Sequence, residues 1–260
     1  MYRLFDLHAH PSIKMHYLPW FTPTLHALAY SGNHFNPFSF RTRYANLKNS
    51  PYKVIVNAHY PIEKAFLKEF HWLFKGFAWT MGPLYYGWLH AADSWKTLDR
   101  MMRTLEKAET ETNRWVKPGQ GPRIRICRRF ADVTRLEDDE IGIVHAIESS
   151  HCLGTQKKGQ SREEFWAQTR ERLREVKERG VAMITLAHFH HNAFCPQIDS
   201  IELVARKING KLEVIRDTNP HDMKRAEWQW GDRDHFSEEF VRELFLIGIV
   251  PDLSHAQEHA

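Results

Sequence analysis

Short apolar runs of β-like character alternate with longer helical segments along the chain, and this order constrains the fold more than any other feature of the sequence. Consecutive parallel strands need a crossover connection, which is usually a helix, so the alternation is typical of βα units and a parallel sheet. The main runs cover residues 2–8, 52–59, 141–148, 181–188 and 248–255. A shorter run at 123–127 is predicted as an additional edge strand.

Two of the intervening segments carry clear helix signals. From Asp93 to Ala108, apolar side chains recur at three- and four-residue spacing and form one stripe, which predicts an amphipathic helix. Ser161 and Glu164 form a capping box that begins a second helix, and Gly180 is placed to end it. The next β-like run follows at once, as expected of a βα unit.

A third helix is predicted between Ser237, as its N-cap, and Gly248. Upstream of it, Asn209-Gly210 separates two alternating β-like runs within residues 200–217, a pattern typical of a hairpin. We therefore expect a hairpin inserted in a βα loop. In a parallel barrel such a loop lies on the active face and can form a wall or a lid.

Residues 1–260 are predicted to form a single domain, because a chain of this length with 42% hydrophobic side chains can bury one large core. The net charge is only +4, and basic residues are mostly interspersed with acidic ones. The exception is a small cluster at Arg123, Arg125, Arg128 and Arg129. A solvated strand rim explains this cluster more simply than a nucleic-acid site does, so no nucleic-acid partner is expected.

The remaining bulk features favour a protein of a reducing compartment that does not enter membranes. Cys127, Cys152 and Cys195 are odd in number and widely spaced, so no disulfide framework is expected. Residues 76–92 are aromatic and uncharged but contain three glycines and a proline, which favours a helical segment packed on the domain or on a partner subunit. No signal segment is visible at the N-terminus, so we expect a cytoplasmic protein, and homo-oligomer formation stays open.

Chemically versatile side chains stand at the ends of the main β-like runs. Four of the five runs end in histidine and the fifth ends in glutamate. The carboxyl ends of parallel strands meet at one edge of a sheet, where α/β folds place their ligand and catalytic groups. The candidate residues are His8 with His10, His59, Glu148, His188 and His255.

The first of these runs predicts a metal site. His8 and His10 are two residues apart on an extended strand, so both imidazoles project from the same face and can bind one ion. Glu148 ends an otherwise apolar run, where a carboxylate is costly to bury unless it is paired or bound to a cation. A bridging role between two ions suits it. Asp252 and Ser254 are less favoured as ligands.

The other run-end histidines have different predicted roles. His255 ends the last run and is a further metal-ligand candidate, whereas His188 is assigned to substrate or oxyanion contact. His59 is favoured as a core histidine or as one that supports the site from behind. His145 and His151 flank the run-end glutamate, and the sequence does not rank them.

Three segments resemble consecutive signatures of the membrane (renal) dipeptidase family, within the metal-dependent amidohydrolase superfamily, and their spacing is also similar. They are AIESSH around Glu148, MITLAHFHHNAF around His188 and LFLIGIVPDLSHA, which includes His255. The resemblance implies a TIM-type (β/α)8 barrel. It also implies that Glu148 bridges two zinc ions, that His188 binds substrate and that His255 is a ligand of the second ion.

The chain departs from this family in two respects. The first-strand motif of the family is His-x-Asp, whereas this chain has His8-Ala9-His10, the pattern of the broader superfamily. Imidazole in place of a carboxylate removes a negative charge and favours metals that prefer nitrogen ligands. A family barrel has eight βα units and this chain supplies about five, which would leave open strand edges. We therefore expect a longer polypeptide or a separate segment to complete the barrel.

The predicted reaction is hydrolysis of a dipeptide or a similar small amide bond by hydroxide formed on a binuclear metal centre. Two divalent ions, predicted to be Zn²⁺, would be held by His8, His10, Glu148 and His255. His188 would stabilise the developing oxyanion. Two alternatives stay open: another amidohydrolase that acts on a cyclic amide, lactone or N-acyl compound, and a non-catalytic metal-binding or interaction protein.

Overall fold

The computed structural model describes residues 4–17, 44–69, 75, 87, 91–117, 119, 121–189, 192–195, 205–208, 211–214 and 236–256. Within these residues the chain is a mixed α/β structure whose parallel sheet curls into half of a barrel. The prediction of a partial barrel is consistent with this architecture, and closure into a TIM-type barrel stays a prediction. Most of the aromatic segment 76–92 lies outside the described residues.

The described strands are β1 (Leu4–Ala9), β2 (Tyr52–His59), β3 (Arg123–Cys127), β4 (Glu140–Glu148), β5 (Val181–Thr185), β6 (Ala205–Ile208), β7 (Lys211–Val214) and β8 (Val250–Asp252). The described helices are α1 (Pro11–Tyr17), α2 (Tyr44–Leu47), α3 (Lys64–Glu69), α4 (Ser94–Trp115), α5 (Phe130–Thr134), α6 (Arg162–Glu178) and α7 (Ser237–Ile247). A single turn of 3-10 helix covers Ser150–Leu153.

Five strands follow one another across the main sheet in the order β1, β2, β4, β5 and β8, and every neighbouring pair is parallel. Strand β3 is also parallel and pairs with the first half of β4, from Glu140 to Val144, whereas β5 pairs with its second half. Strands β6 and β7 flank Asn209-Gly210 and form a separate antiparallel sheet. The carboxyl ends of the main strands therefore gather at one edge.

Two strands end earlier than the sequence predicts. Strand β5 ends at Thr185 and β8 ends at Asp252, each three residues before its predicted end. In β8 the Asp252 carboxylate accepts hydrogen bonds from the backbone N–H and the hydroxyl of Ser254, which turns the chain away from the sheet. His188 and His255 consequently lie in the loops that follow their strands.

Both long helices have side-chain caps, of which the capping box of the second was predicted. The Asp93 side chain accepts a hydrogen bond from the backbone N–H of Lys96 at the start of α4. The Ser161–Glu164 capping box begins α6. Gly180 follows α6 with φ +90°, and a Cβ there would lie 2.4 Å from Cα of Arg128, so only glycine fits this close approach.

The cap predicted for the third helix is wrong by one residue. Ser237 is the first residue of α7 rather than its N-cap, which is Phe236 and provides no side-chain cap hydrogen bond. Phe236 is instead fully buried and packs against Phe165 and Trp166, so core packing sets the position of this helix start. At the other end, Gly248 is left-handed with φ +70°, as the sequence predicts.

Helices cover one face of the main sheet. Successive side chains of β4 point alternately to this face and to the opposite one. Ile143 and Ile147 point to the helical side, where they belong to the cores built with Leu105 and Leu98 of α4. Glu148 is the next residue after Ile147 and therefore faces the opposite side. This face is the concave side of the half-barrel.

Two bulk features follow from the structure. Cys127, Cys152 and Cys195 are all buried and free, as expected in the absence of a disulfide framework. None of the helices within the described part of the chain is long and apolar enough to cross a membrane.

The arginine cluster is largely engaged in ion pairs with neighbouring carboxylates. Arg123 lies 2.7 Å from Glu137, and Arg125 lies 3.3 Å from Glu140.

Candidate metal centre

The five residues predicted for the site lie together at the carboxyl edge of the main sheet. They form two groups that share Glu148, one with His8 and His10 and the other with His188 and His255. Within each group, one potential ligand atom from every residue lies within 4.8 Å of the others. The supporting strands are far apart in sequence, but β4, β5 and β8 are neighbours in the sheet and only β2 separates β1 from β4, so the parallel topology creates the cluster.

The first group has the spacing of metal ligands. The two Nε2 atoms of His8 and His10 are 3.1 Å apart, and they lie 3.3 and 3.6 Å from the Oε1 and Oε2 atoms of Glu148. Ligand atoms around a tetrahedral zinc ion with bonds near 2.1 Å are separated by about 3.3 Å. Two imidazole nitrogens and a carboxylate at these distances therefore fit a zinc ion, and the set of donors matches its preference.

His10 is oriented as metal-binding histidines usually are. Its Nδ1 atom is 2.9 Å from the carbonyl oxygen of Ala58, so the Nδ1–H group donates to the backbone of β2 and the Nε2 lone pair points into the site. The backbone N–H of His8 donates to the Asp6 carboxylate, and the β1–β2 register shifts between Asp6 and Ala9. This irregularity lets the two rings meet edge to face at 4.7 Å.

The second group is centred on the loops after β5 and β8. His188 Nε2 lies 3.1 Å from Glu148 Oε1, and the His188 and His255 rings are 4.8 Å apart. His255 adopts a left-handed backbone with φ +66°, a conformation that few residues other than glycine adopt. The Nδ1 atom of His188 is buried and has no hydrogen-bond partner among the described residues. His188 thus lacks the backbone support that His10 has.

Electrostatics favour an ionised Glu148. Burial of its carboxyl group would raise the pKa, but hydrogen bonds from His188 and His8 outweigh this effect and hold the pKa well below its usual range. The same hydrogen bond raises the pKa of His8. Burial and the neighbouring His188 ring lower the pKa of His255. The carboxylate is therefore a fixed negative charge at the point that both groups share.

Asp252 is close to the centre but is not one of the grouped ligands. Its Oδ2 atom accepts a 2.6 Å hydrogen bond from the Thr185 hydroxyl, and its Oδ1 atom is engaged by Ser254. Burial would raise the pKa of Asp252, but these hydrogen bonds lower it. Both of its oxygens already have donors, so Asp252 shapes the β5–β8 edge.

His59 and His145 form a separate pair on the helical side of the sheet. His59 Nε2 and His145 Nδ1 are 2.7 Å apart, and both rings are completely buried. His151, which the sequence left unranked together with His145, has its Nδ1 atom 2.8 Å from the Ser149 hydroxyl.

Tyr60 is a component of the site that was not predicted from the sequence. Its ring packs edge-on against His188 at 4.5 Å, and its hydroxyl is buried without a hydrogen-bond partner among the described residues. Burial raises the pKa of Tyr60 well above its usual value, with a contribution from the Glu63 carboxylate, so the hydroxyl stays protonated. Its position immediately after β2 was the available signal, because residues that follow parallel strands line such sites.

No family model matches this chain, and no curated protein matches it.

Proposed function

We propose that the chain is a metal-dependent hydrolase that uses a binuclear centre to cleave a dipeptide or a similar small amide bond. The observation that carries this proposal is the single buried carboxylate, Glu148, shared by two groups of imidazoles. A buried carboxylate is costly in stability unless hydrogen bonds or a cation offset the water that it loses. Binuclear hydrolytic centres need one such residue to hold both ions at a short separation.

In this proposal His8 and His10 hold one ion, Glu148 contacts both, and His255 holds the second. Bound divalent ions lower the pKa of water towards neutrality and polarise the carbonyl group to be cleaved. The Glu148 carboxylate faces His8 and His188 through Oε1 and His10 through Oε2, so it can serve both groups without a change of side-chain direction.

His188 acts on the substrate in this proposal. Its buried Nδ1 atom has no donor or acceptor among the described residues, which favours the tautomer with the proton on Nε2. That N–H group points at Glu148. In the proposed reaction the same N–H could donate to the substrate oxygen that becomes negative as the amide bond is attacked.

The substrate class rests on the resemblance of the segments around Glu148, His188 and His255 to the membrane dipeptidase family. A second candidate is another amidohydrolase reaction, on a cyclic amide, a lactone or an N-acyl compound. It is favoured by His10, because imidazole replaces the carboxylate of the dipeptidase motif and leaves the centre with one more positive charge.

Metal stoichiometry tests the centre itself. The purified chain, stripped with a chelator and reconstituted with Zn²⁺, is expected to retain two equivalents by elemental analysis. Glu148→Gln keeps the shape of the side chain and removes its charge, so it should bind no more than one. Glu140→Gln is the matched control, because Glu140 is a buried carboxylate at the opposite end of β4 and should leave two equivalents bound. Less than half an equivalent in the unaltered protein would refute the proposal.

A substrate panel separates the two candidates. Dipeptides, N-acyl amino acids, a lactone and a cyclic amide are incubated with the Zn²⁺-loaded protein, and product is measured with the Glu148→Gln variant as the blank. Hydrolysis of dipeptides supports the first candidate. Activity restricted to the other compounds supports the second. If two ions are bound but none of the compounds is hydrolysed, the chain is a non-catalytic metal-binding protein.

A further inference from the structure

Ser149, the residue directly after Glu148, has an unusual backbone conformation. Its dihedral angles are φ +74° and ψ +116°, and it is completely buried. Residues other than glycine rarely adopt a positive φ, and a conformation of this kind costs about 1–3 kcal/mol. Such strain persists only when surrounding contacts hold the residue in place.

The Ser149 hydroxyl makes these contacts. It donates a 3.0 Å hydrogen bond to Oε1 of Glu63, in the segment between β2 and α3, and lies 2.8 Å from Nδ1 of His151. Because its proton is directed to Glu63, the hydroxyl oxygen accepts from the Nδ1–H group of His151. One small buried side chain therefore ties the end of β4 to the segment before α3 and to the following 3-10 turn.

The next residue anchors the turn from the other side. The Ser150 hydroxyl donates a 2.6 Å hydrogen bond to the carbonyl oxygen of Leu186, just after β5, and its backbone N–H bonds to the same oxygen. The turn between Glu148 and Ser150 is thus held by hydrogen bonds on both sides.

Glu148 depends on this turn for its orientation. The hydrogen-bonding and ionic partners of its two carboxylate oxygens are His8, His10 and His188, all within the centre itself. No group outside the centre orients the carboxylate among the described residues. Its direction is therefore set by the backbone, and metal binding tolerates errors of only about 0.2 Å in ligand distances.

We propose that Ser149 is a positioning residue, whose hydroxyl holds the strained turn that aims the Glu148 carboxylate at both ligand groups. The inference rests on the proposed binuclear centre and adds a residue to it that binds neither metal nor substrate.

Two substitutions at this position have opposite predicted effects. Ser149→Ala removes the two hydrogen bonds but keeps the Cβ that makes a positive φ unfavourable, so the turn should relax and Glu148 should move. Ser149→Gly also removes the hydroxyl, but glycine adopts a positive φ without strain, so the turn should persist. A purely structural role for the hydroxyl would make the two variants equally defective.

Metal affinity distinguishes these outcomes. Zn²⁺ binding is measured by titration against a competing chelator, and Co²⁺ spectra report the ligand geometry at each ion. Loss of a group that supports a metal ligand typically weakens binding about 10–100-fold, and we expect a loss of about tenfold or more at one of the two ions for Ser149→Ala. Ser149→Gly should stay within about threefold of the unaltered protein, with its Co²⁺ spectrum preserved.

The control variant is Ser161→Ala, which removes the N-cap hydrogen bond of α6 and destabilises the fold without a change near the centre. It should bind both ions normally. If Ser149→Ala does not fold, Glu63→Ala removes the acceptor of the same hydrogen bond and should show the same loss, with Glu63→Gln retaining an acceptor and the affinity.

Normal affinity in Ser149→Ala, or equal losses in the alanine and glycine variants, overturns the positioning role. An unaltered protein that binds fewer than two ions would instead count against the binuclear centre.

Discussion

Three buried histidines should make the metal-free protein lose stability steeply as the pH falls from 6 to 5. Burial lowers the pKa of His145 to about 3, with Arg179 and Arg128 adding to the effect, and lowers that of His16 to about 4. Burial and the adjacent His145 ring lower the pKa of His59 well below its usual value. All three side chains are therefore neutral in the fold at pH 5–6.

The sign of the effect follows from proton uptake. In the unfolded chain a histidine has a pKa near 6.5, so it binds a proton below this pH that the folded protein does not bind. The stabilisation is complete above pH 6.5 and is lost as the pH falls towards the folded-state pKa values. Between pH 6 and 5 each histidine costs about 1.2 kcal/mol, and three together cost about 3.5 kcal/mol. That sum is a large part of the stability of a typical domain.

Other groups of the site contribute little in this interval. The raised pKa of His8 provides stability that is present below pH 6.5 and is lost only as the pH rises. The lowered pKa of Glu148 provides stability that is present above pH 4.5 and is lost only at more acidic pH. The exception among the site residues is His255, whose lowered pKa adds to the loss in the same interval. The interval from pH 6 to 5 therefore reports on the histidines whose pKa is lowered in the fold.

Urea unfolding followed by circular dichroism at pH 6.0, 5.5 and 5.0, in the presence of a chelator, measures the effect. His145→Gln should reduce the loss to about 2.4 kcal/mol, because one fewer group takes up a proton. Ser161→Ala should lower stability by about 1 kcal/mol at every pH and leave the loss unchanged. A loss below about 1 kcal/mol in the unaltered protein would show that these histidines are already protonated in the fold.

Two further predictions concern backbone strain and metal linkage. Gly180→Ala should lower the free energy of unfolding by at least about 2 kcal/mol in urea titrations. The new Cβ would be strained at φ +90° and would also overlap the backbone of Arg128. An unchanged midpoint would contradict this contact. Zn²⁺ at a hundredfold excess over its dissociation constant should stabilise the protein by about 2.7 kcal/mol per site. This stabilisation is measured as a rise in the thermal unfolding midpoint, and Glu148→Gln should reduce the rise.

Local sequence patterns predicted the strands and helix caps well where these patterns alone decide the structure. The bounds of β2 and β3 agree with the predicted runs 52–59 and 123–127, and the capping box at Ser161 is present. Tertiary contacts decided the exceptions. The start of α7 follows the burial of Phe236 rather than the hydroxyl of the next residue.

The candidate site was predictable as a set of residues but not in its supporting contacts. His8, His10 and Glu148 could be grouped because parallel strands bring their carboxyl ends together. The strained turn at Ser149 was not predictable, because its positive φ depends on a hydrogen bond to Glu63 from a distant segment as well as on one from His151 within the turn. Serine carries no local preference for such a backbone, so the sequence gives no sign of it.

The register of β4 explains why the pKa is lowered in some histidines of the sheet and raised in another. His145 and Glu148 are three residues apart on one strand, so they face opposite sides of the sheet. His59 pairs with Ile147 in the parallel ladder and shares the helical face with His145, where burial keeps both rings neutral. His8 contacts Glu148 on the other face, where a carboxylate raises the pKa of its ring. A shift of one residue in this register would exchange the two environments and disrupt the candidate metal centre and the core together.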